Sequence, residues 1–183
     1  MTTTAPYGSW VSPITTAMLS DNAIRIGEVE HHGGITYWVE SRPLEGGRSV
    51  IVARRADGTT HDVTPADLDS RSRANEYGGG AYGVSDGAIV SCNFADQLVY
   101  RIDGAEPVAI TPEPEIPGGD RYADFAFHGN MVIAVRERHH EEGEPTNTLV
   151  AFPVDGSAPP RVIASGHDFF SSPRVSPDGT RLA

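Results

Sequence analysis

A tight turn followed by a run of β-forming residues recurs along this chain of 183 residues. The turns are His32-Gly33-Gly34, Ser85-Asp86-Gly87, His128-Gly129-Asn130 and Pro177-Asp178-Gly179. Counted from Gly34 to Gly87, then to Asn130 and then to Gly179, the spacings are 53, 43 and 49 residues. A spacing of about 40 to 50 residues is typical of a four-stranded β-propeller blade. The repeat therefore predicts an all-β fold made of blades.

Each of the first three turns is followed by three segments with strand composition, rich in β-branched and aromatic residues and bounded by Gly, Asp or Pro. The predicted strands are Ile35–Glu40, Ser49–Arg54, Thr60–Thr64, Ala88–Asn93, Leu98–Ile102, Pro107–Thr111, Met131–Arg136, Thr148–Val154 and Arg161–Ala164. A strand before each turn completes each unit, and residues 180–183 begin another strand.

These units predict a partial β-propeller of about three four-stranded blades and the start of a fourth. The expected parts are an N-terminal segment at 1–23, blade 1 at 24–65, blade 2 at 76–112, blade 3 at 121–165 and the start of blade 4 at 169–183. Propellers usually close with about four to eight blades, so we expect the N-terminal part of a longer protein. Open sheet edges also predict edge-to-edge self-association. The alternative fold is a small β-sandwich whose final hairpin is short.

Helical signals are sparse. Ser12 and Pro13 precede residues 14–19 in the pattern of a helix start, and Thr64-Pro65 has the same signature before a single possible turn. Neither segment is long enough to form a helical layer.

Charge and composition exclude several classes of protein. The formal net charge of −11 is unsuited to binding a phosphate backbone. No window reaches the roughly 18 apolar residues of a membrane span. The single cysteine, Cys92, cannot form an internal disulfide, and residues 1–10 do not resemble a signal peptide. We therefore expect a cytoplasmic protein that binds neither nucleic acid nor membrane, with Cys92 a buried small hydrophobe.

Residues 83–87 satisfy the G-x-S-x-G pattern of a serine nucleophile, centred on Ser85. That chemistry requires a strand before the serine and a helix after it. Residues 88–93 have strand composition instead, which predicts that Ser85 lies in a blade turn and is not catalytic.

Two clusters of histidines and acids raise the question of a metal site: His31-His32 close to Glu28 and Glu30, and His139-His140-Glu141-Glu142. Neighbouring residues on a strand point to opposite faces, and neither cluster has the i, i+4 spacing of a helical zinc motif. We predict no metal and no cofactor.

Four stretches together resemble the start of prolyl-oligopeptidase-family (S9) serine peptidases of the acylaminoacyl-peptidase and dipeptidyl-peptidase type. They are residues 5–15 (APYGSWVSPIT), 71–82 (RSRANEYGGGAY), 122–125 (YADF) and 167–179 (HDFFSSPRVSPDG). The resemblance implies an N-terminal β-propeller above a C-terminal α/β-hydrolase domain that carries a Ser-Asp-His triad. No segment here resembles that catalytic domain. One departure is Asn75, where the resemblance leads us to expect histidine.

The segment around the glycine run is the candidate substrate-facing loop. Its members are Arg73, Glu76, Tyr77, Gly78, Gly79 and Gly80. Consecutive glycines allow close backbone approach and positive φ, while Glu76 offers a charge for a substrate ammonium and Tyr77 an aromatic surface. The alternative interpretation is purely geometric: a tight entry into blade 2, with Glu76 paired to Arg71 or Arg73 and Tyr77 packed.

The resemblance implies that the parent protein hydrolyses oligopeptides and that the propeller is a lid and substrate-size filter. The expected partners are a peptide substrate and the parent's C-terminal hydrolase domain, and the 183-residue chain alone is expected to be inactive. The alternative function is a non-enzymatic β-propeller scaffold for protein–protein interaction. Both functions place the important surface on one face of the propeller.

Overall fold

The computed structural model describes residues 4–20, 23–86, 88–104 and 106–183. These residues form three four-stranded antiparallel sheets with very little helix. The all-β class predicted from the repeat is therefore confirmed. Gly87, the last residue of the second predicted turn, lies outside the described residues.

Each sheet is a meander in which consecutive strands pair in chain order. Sheet 1 contains β1 (Arg25–His32), β2 (Ile35–Arg42), β3 (Arg48–Arg54) and β4 (Thr60–Asp62). Sheet 2 contains β5 (Tyr82–Ser85), β6 (Ala88–Cys92), β7 (Val99–Ile102) and β8 (Val108–Ala109). Sheet 3 contains β9 (Asp120–His128), β10 (Met131–Arg138), β11 (Thr146–Pro153) and β12 (Arg161–Ala164).

The sheets pack face to face through two apolar cores. Sheets 1 and 2 bury a cluster that includes Tyr37, Ile51 and Tyr82. Sheets 2 and 3 bury a larger one, in which the Tyr122 and Phe152 rings meet edge to face with centroids 6.0 Å apart. The middle sheet contributes to both clusters, so its strands carry apolar side chains on both faces.

The first strands of neighbouring sheets lie side by side: β1 contacts β5, and β5 contacts β9. The sheets therefore converge along their first strands, as in a propeller. In such meanders the β2–β3, β6–β7 and β10–β11 turns lie at the same end as the segments that join one sheet to the next. We call this end the connection face.

Two of the short helical elements differ from the prediction. The helix α1 spans Thr16–Ser20 and does not begin at residue 14, because the Thr15 Oγ1 accepts the backbone N–H of Met18 at 3.2 Å and caps it there. A single 3₁₀ turn, Pro43–Glu45, was not predicted. At residues 64–68 the chain forms the single turn that the Thr64-Pro65 signature predicts.

After sheet 3 the chain makes one further hairpin-like contact, a β-bridge between Val175 and Leu182. The predicted strand at residues 180–183 is thus reduced to a single bridge position. The turn before it is formed as expected, since the Ser176 Oγ and the Asp178 carboxylate lie 2.6 Å apart and Gly179 N–H donates to the Ser176 carbonyl. Within the described ranges no helix has the length and apolarity needed to cross a membrane.

Candidate functional site

The loop from Arg71 to Gly80 joins sheet 1 to sheet 2 on the connection face. Asn75 and Glu76 are both left-handed, with φ of 51° and 64°, and Gly78 has a φ of 84°. Backbone bonds from Glu76 to Arg73 and from Gly78 to Ala74 close two consecutive turns. The loop is therefore a compact double turn that projects residues 76 and 77 outward.

The glycine run is required by close packing. A Cβ on Gly79 would lie 2.9 Å from the Ala123 Cβ, and one on Gly78 would lie 2.9 Å from the Ser72 carbonyl oxygen. On Gly80 it would lie 3.1 Å from the Asp124 Oδ1. The close contacts agree with the geometric interpretation of the three glycines, since the backbone packs too tightly there for a side chain. They do not determine the roles of Glu76 and Tyr77.

Asp124 fixes this loop in place. It lies at a positive φ of 55°, at an irregularity in the β9–β10 register. The Oδ1 accepts the Gly80 N–H at 2.7 Å, and the Oδ2 accepts the Ser172 N–H at 2.8 Å. One carboxylate thus links the segment before sheet 2 to the segment after sheet 3.

Glu76 forms an ion pair with Arg121 of β9 at 2.6 Å, and not with Arg71 or Arg73. This pairing holds the pKa of the Glu76 carboxyl below its usual value. The Arg71 and Arg73 guanidinium groups lie over the Phe94 ring instead, at 4.6 and 5.4 Å from its centroid. The predicted Glu76 partner is therefore corrected: Arg121 reaches it because β9 runs directly beside the loop.

Tyr77 does not pack into the fold, contrary to the geometric interpretation. The residue is 83% exposed, because the double turn directs it outward. Phe169, on the segment after sheet 3, is 67% exposed. Both rings lie on the rim of one cavity of about 520 Å³. Two of the stretches that carried the family resemblance therefore meet at this cavity, which we call the Tyr77 cavity.

Sheet 3 forms the floor of the Tyr77 cavity. Glu137 of β10 is only 5% exposed and accepts the Asn75 N–H at 2.5 Å. The His139 Nε2 approaches the Glu137 Oε1 to 2.9 Å, an ion-pair distance without hydrogen-bond geometry. Asn147, opposite Glu137 in the β10–β11 register, is buried, and its Oδ1 has no hydrogen-bond partner among the described residues. Glu144 and Asp168 complete the acidic lining.

Ser85 ends β5, and the strand β6 follows at Ala88. Its Oγ makes a long hydrogen bond, 3.4 Å, to the Ala88 carbonyl within the hairpin. A nucleophile elbow places a helix after the serine, and here a strand occupies that position. The G-x-S-x-G pattern is thus part of a hairpin in this chain.

The histidine clusters each make local polar contacts. The His31 Nδ1 lies 3.1 Å from the Thr36 hydroxyl, and the His140 Nε2 lies 3.0 Å from the Thr146 hydroxyl. The His32 Nε2 lies 2.7 Å from the Asp86 carboxylate, across the sheet 1–sheet 2 boundary. In the described part of the chain no three His, Cys, Asp or Glu side chains come together in a metal-binding arrangement.

Cys92 is fully buried at the end of β6, as expected from its apolar surroundings. Burial raises the pKa of its thiol to about 12. A thiol so strongly held in its protonated form is a poor nucleophile, which agrees with a packing role.

The three meander sheets, which meet along their first strands, form a propeller-like domain. Over 98% of its length the chain is 34% identical to a puromycin-hydrolysing peptidase of Mycobacterium tuberculosis, with a TM-score of 0.88. It is similar in the same way to puromycin hydrolase, at 34% identity over 99% of the chain and a TM-score of 0.87. A serine-to-alanine mutant of puromycin hydrolase complexed with PGG matches at 35% identity over 98% of the chain.

These similarities confirm the resemblance to the N-terminal propeller portion of prolyl-oligopeptidase-family (S9) serine peptidases. The chain spans about 30% of the length of each of these solved structures. No protein-family model matches the chain, and no curated protein does.

Sequence reasoning identified the loop around Glu76 and Tyr77 but missed the other half of the Tyr77 cavity. Asp168 and Phe169 lie in a stretch that carried the family resemblance, yet were not singled out. One sequence signal pointed to Asn147. It is a side-chain amide at the start of a run of strand-forming residues, and a polar side chain in such a run can mark a functional position. Only the structure places Asn147 beside the loop, since more than 60 residues separate them in the chain.

Proposed function

We propose that this chain is the propeller part of a serine peptidase that hydrolyses oligopeptides and related aminoacyl amides, and that it contributes no catalytic nucleophile. The observation that carries this proposal is the 34% identity to a puromycin-hydrolysing peptidase over 98% of the chain. Puromycin is an aminoacyl amide, so its hydrolysis breaks the same kind of bond as peptide hydrolysis. The strand after Ser85 supports the absence of a nucleophile here.

The three sheets are assigned to three blades, at residues 24–65, 76–112 and 121–165, and residues 169–183 to the start of a fourth. The side-by-side arrangement of β1, β5 and β9 supports this assignment. The bridge between Val175 and Leu182 supports a further unit after sheet 3.

The connection face is assigned to the substrate side, with the loop of Arg73, Glu76, Tyr77, Gly78, Gly79 and Gly80 facing the peptide. The high exposure of Tyr77 supports this role, because a large aromatic side chain held outward by a tight loop is suited to contact a ligand. The Tyr77 cavity beside it is within the usual size range of small-molecule sites.

In the whole protein the propeller acts as a lid over the parent's hydrolase domain and filters substrates by size. This role is supported by the family resemblance and by the location of the motif-bearing loops on one face. A cytoplasmic location is part of the same proposal. The free thiol of Cys92 is compatible with that reducing compartment.

Alone, the chain is expected to associate with a second copy through sheet 1. Two apolar side chains of β1 support this, since Ile26 is 65% exposed and Val29 is 64% exposed. A first strand with exposed apolar side chains is prone to pair with another chain.

The test compares the 183-residue chain with the longer protein that contains it, using puromycin and aminoacyl p-nitroanilides as substrates. We expect release of p-nitroaniline by the longer protein and none by the chain alone. Turnover by the chain that disappears in Ser85→Ala would overturn the proposal. A longer protein without hydrolytic activity would favour the scaffold function instead.

A further inference from the structure

We propose that a groove between sheets 1 and 2, at the end of the domain opposite the connection face, binds a carboxylate carried on an apolar body. Its lining includes Tyr37, Ala53, Arg55 and Ala88, and we call it the Ala53 groove. Its volume is about 580 Å³, within the usual range of small-molecule sites. Binding here is independent of the proposed function, because the groove shares no lining residue with the Tyr77 cavity.

The groove lies where the hairpins of two sheets turn. In sheet 1, Ile35 begins β2 and Arg55 follows the end of β3. In sheet 2, Ser85 ends β5 and Ala88 begins β6. These positions flank the β1–β2, β3–β4 and β5–β6 turns, which in a meander lie at the opposite end from the β2–β3 and β6–β7 turns. A ligand in the groove therefore leaves the connection face free.

A small side chain between two large ones makes room for a ligand. Tyr37, Ala53 and His61 are direct partners across β2, β3 and β4, so their side chains share one face of sheet 1. Tyr37 and Ala53 belong to the core between sheets 1 and 2 and also line the groove. Only a methyl group thus stands between the phenol ring and the imidazole.

Apolar side chains form the walls of the Ala53 groove. Four half-buried side chains pack against the core between sheets 1 and 2, and each of them also lines the groove: Ile35, Val63, Val84 and Ile89. The core is therefore open to solvent at this end. Covering such a surface removes apolar area from water, so the walls favour a ligand with an apolar body.

Three polar side chains in the groove lack partners. The Arg55 guanidinium and the His61 imidazole line it, and neither makes a hydrogen bond or an ion pair within the described ranges. Tyr37 is 8% exposed, and its hydroxyl has no hydrogen-bond partner among the described residues. Buried polar atoms are nearly always paired, so this hydroxyl calls for a partner from outside the chain. A carboxylate has about four acceptor positions and can accept from all three groups.

The other charges in the groove select a ligand with a single negative charge. Asp62 and Asp103 line it as well. Asp62 is paired with Arg42 at 2.6 Å. Asp103 is paired with Arg101 at 3.2 Å. Both carboxylates are therefore already neutralised and leave Arg55 available, while their field opposes a second negative charge. A carboxylate suits this balance better than a doubly charged phosphate.

The closing experiment follows binding to the 183-residue chain by ¹H–¹³C methyl NMR, with 3-phenylpropanoate as the probe. We expect saturable shifts at the Ala53, Val84 and Ile89 methyl groups and none at Val132, which lies in the core between sheets 2 and 3. 3-Phenylpropanamide has the same ring without the charge. We expect it to bind at least about tenfold more weakly, the usual effect of losing a hydrogen bond to a charged group.

Two adjacent arginines supply a matched pair of variants. Arg55 lines the groove, and Arg54 is exposed but outside the lining. Arg55→Gln is expected to weaken 3-phenylpropanoate binding by about tenfold, and Arg54→Gln to leave it unchanged. Both positions are exposed, so both variants should keep the spectrum of a folded protein. Tyr37→Phe removes only the hydroxyl, and we expect about threefold to tenfold weaker binding.

Octanoate and N-acetyl-L-leucine present the same chemistry from two sources, a lipid and the carboxyl end of a peptide. Tighter binding of either one supports the carboxylate site and assigns its source. Equal binding of 3-phenylpropanoate and its amide would overturn the assignment, and so would equal losses in the two arginine variants. Tighter binding of phenyl phosphate than of 3-phenylpropanoate would contradict the choice of a carboxylate.

Discussion

The Asp124 carboxylate accepts the backbone N–H of Gly80 at 2.7 Å, and the Asp124 N–H donates to the Gly80 carbonyl at 2.8 Å. Two hydrogen bonds are therefore exchanged across the boundary between sheets 2 and 3. The second carboxylate oxygen of Asp124 accepts the backbone N–H of Ser172, which follows Phe169 closely in the chain. Both walls of the Tyr77 cavity are thus positioned by one aspartate.

Replacing Asp124 should loosen both walls. Asp124→Ala removes two charge-assisted acceptors and is expected to cost about 2 to 3 kcal/mol of the free energy of unfolding. Asp124→Asn keeps one acceptor oxygen and tolerates the left-handed backbone, so a loss of about 1 kcal/mol is expected. Urea denaturation of both variants checks this order. Equal losses for Asn and Ala would contradict the carboxylate's role.

Gly79 has no room for a side chain. Gly79→Ala places a methyl group 2.9 Å from the Ala123 Cβ and 3.0 Å from the Asp124 Oδ1, so we expect a destabilisation of about 1 to 3 kcal/mol. Gly27→Ala is the matched control, since nothing lies within 4 Å of a Cβ there and φ is not positive. Thermal unfolding should show a lower midpoint for the first variant and no decrease for the second.

Glu28 should make the chain less stable as pH rises. Burial of its carboxylate raises its pKa above 4.5, although the Ala81 N–H bond at 2.7 Å opposes the effect. The folded state then binds the proton more tightly than the unfolded state. Its stability contribution is complete at low pH and is lost as pH rises through the folded pKa. Glu28→Gln removes this loss and still accepts the Ala81 N–H.

We therefore expect Glu28→Gln to be about 0.5 kcal/mol more stable than the unmodified chain at pH 7, a small gain because the residue is partly exposed. Below pH 4.5 the difference should vanish. Urea denaturation at pH 4 and pH 7 measures it, with Glu142→Gln as an exposed control. A Glu28→Gln chain less stable at pH 7 would mean that the Ala81 hydrogen bond outweighs desolvation.

Ser85 should be dispensable for hydrolysis. Its Oγ is engaged within a hairpin and has a strand after it, so Ser85→Ala in the longer protein is expected to retain kcat/KM for aminoacyl p-nitroanilides within about twofold. A large loss of kcat/KM with an unchanged thermal midpoint would show that the hairpin serine acts in catalysis.

The strands were predictable because their signal is local. The three segments after each turn appear in the structure within a few residues of their predicted bounds, for example Ile35–Arg42 where Ile35–Glu40 was expected. Turn chemistry and β-branched composition act over short stretches, so sequence alone carries them. The helix begins two residues later than predicted. Ser12 and Thr15 are both residue types that cap a helix N-terminus, so the sequence alone does not show that Thr15 is the one used.

The carboxylate contacts were not predictable. Glu28 and Asp124 both have a left-handed backbone, which their residue types do not require. In this conformation their carboxylates contact a neighbouring sheet. The Glu76 partner was also missed, because Arg121 is 45 positions away while Arg71 and Arg73 are close in the chain. Pairings set by how sheets meet depend on three-dimensional register, which a single sequence does not encode locally.

Gly80 and Ala81 are adjacent, yet their amides point to opposite neighbours: Gly80 donates to Asp124 of sheet 3, and Ala81 donates to Glu28 of sheet 1. The Gly80 amide hydrogen therefore reports on the boundary between sheets 2 and 3, and the Ala81 amide hydrogen reports on the boundary between sheets 1 and 2. We call these two boundaries the seams of the domain. If one seam opens before the other, hydrogen exchange at these two positions will differ. Equal protection would mark the three sheets as a single cooperative unit.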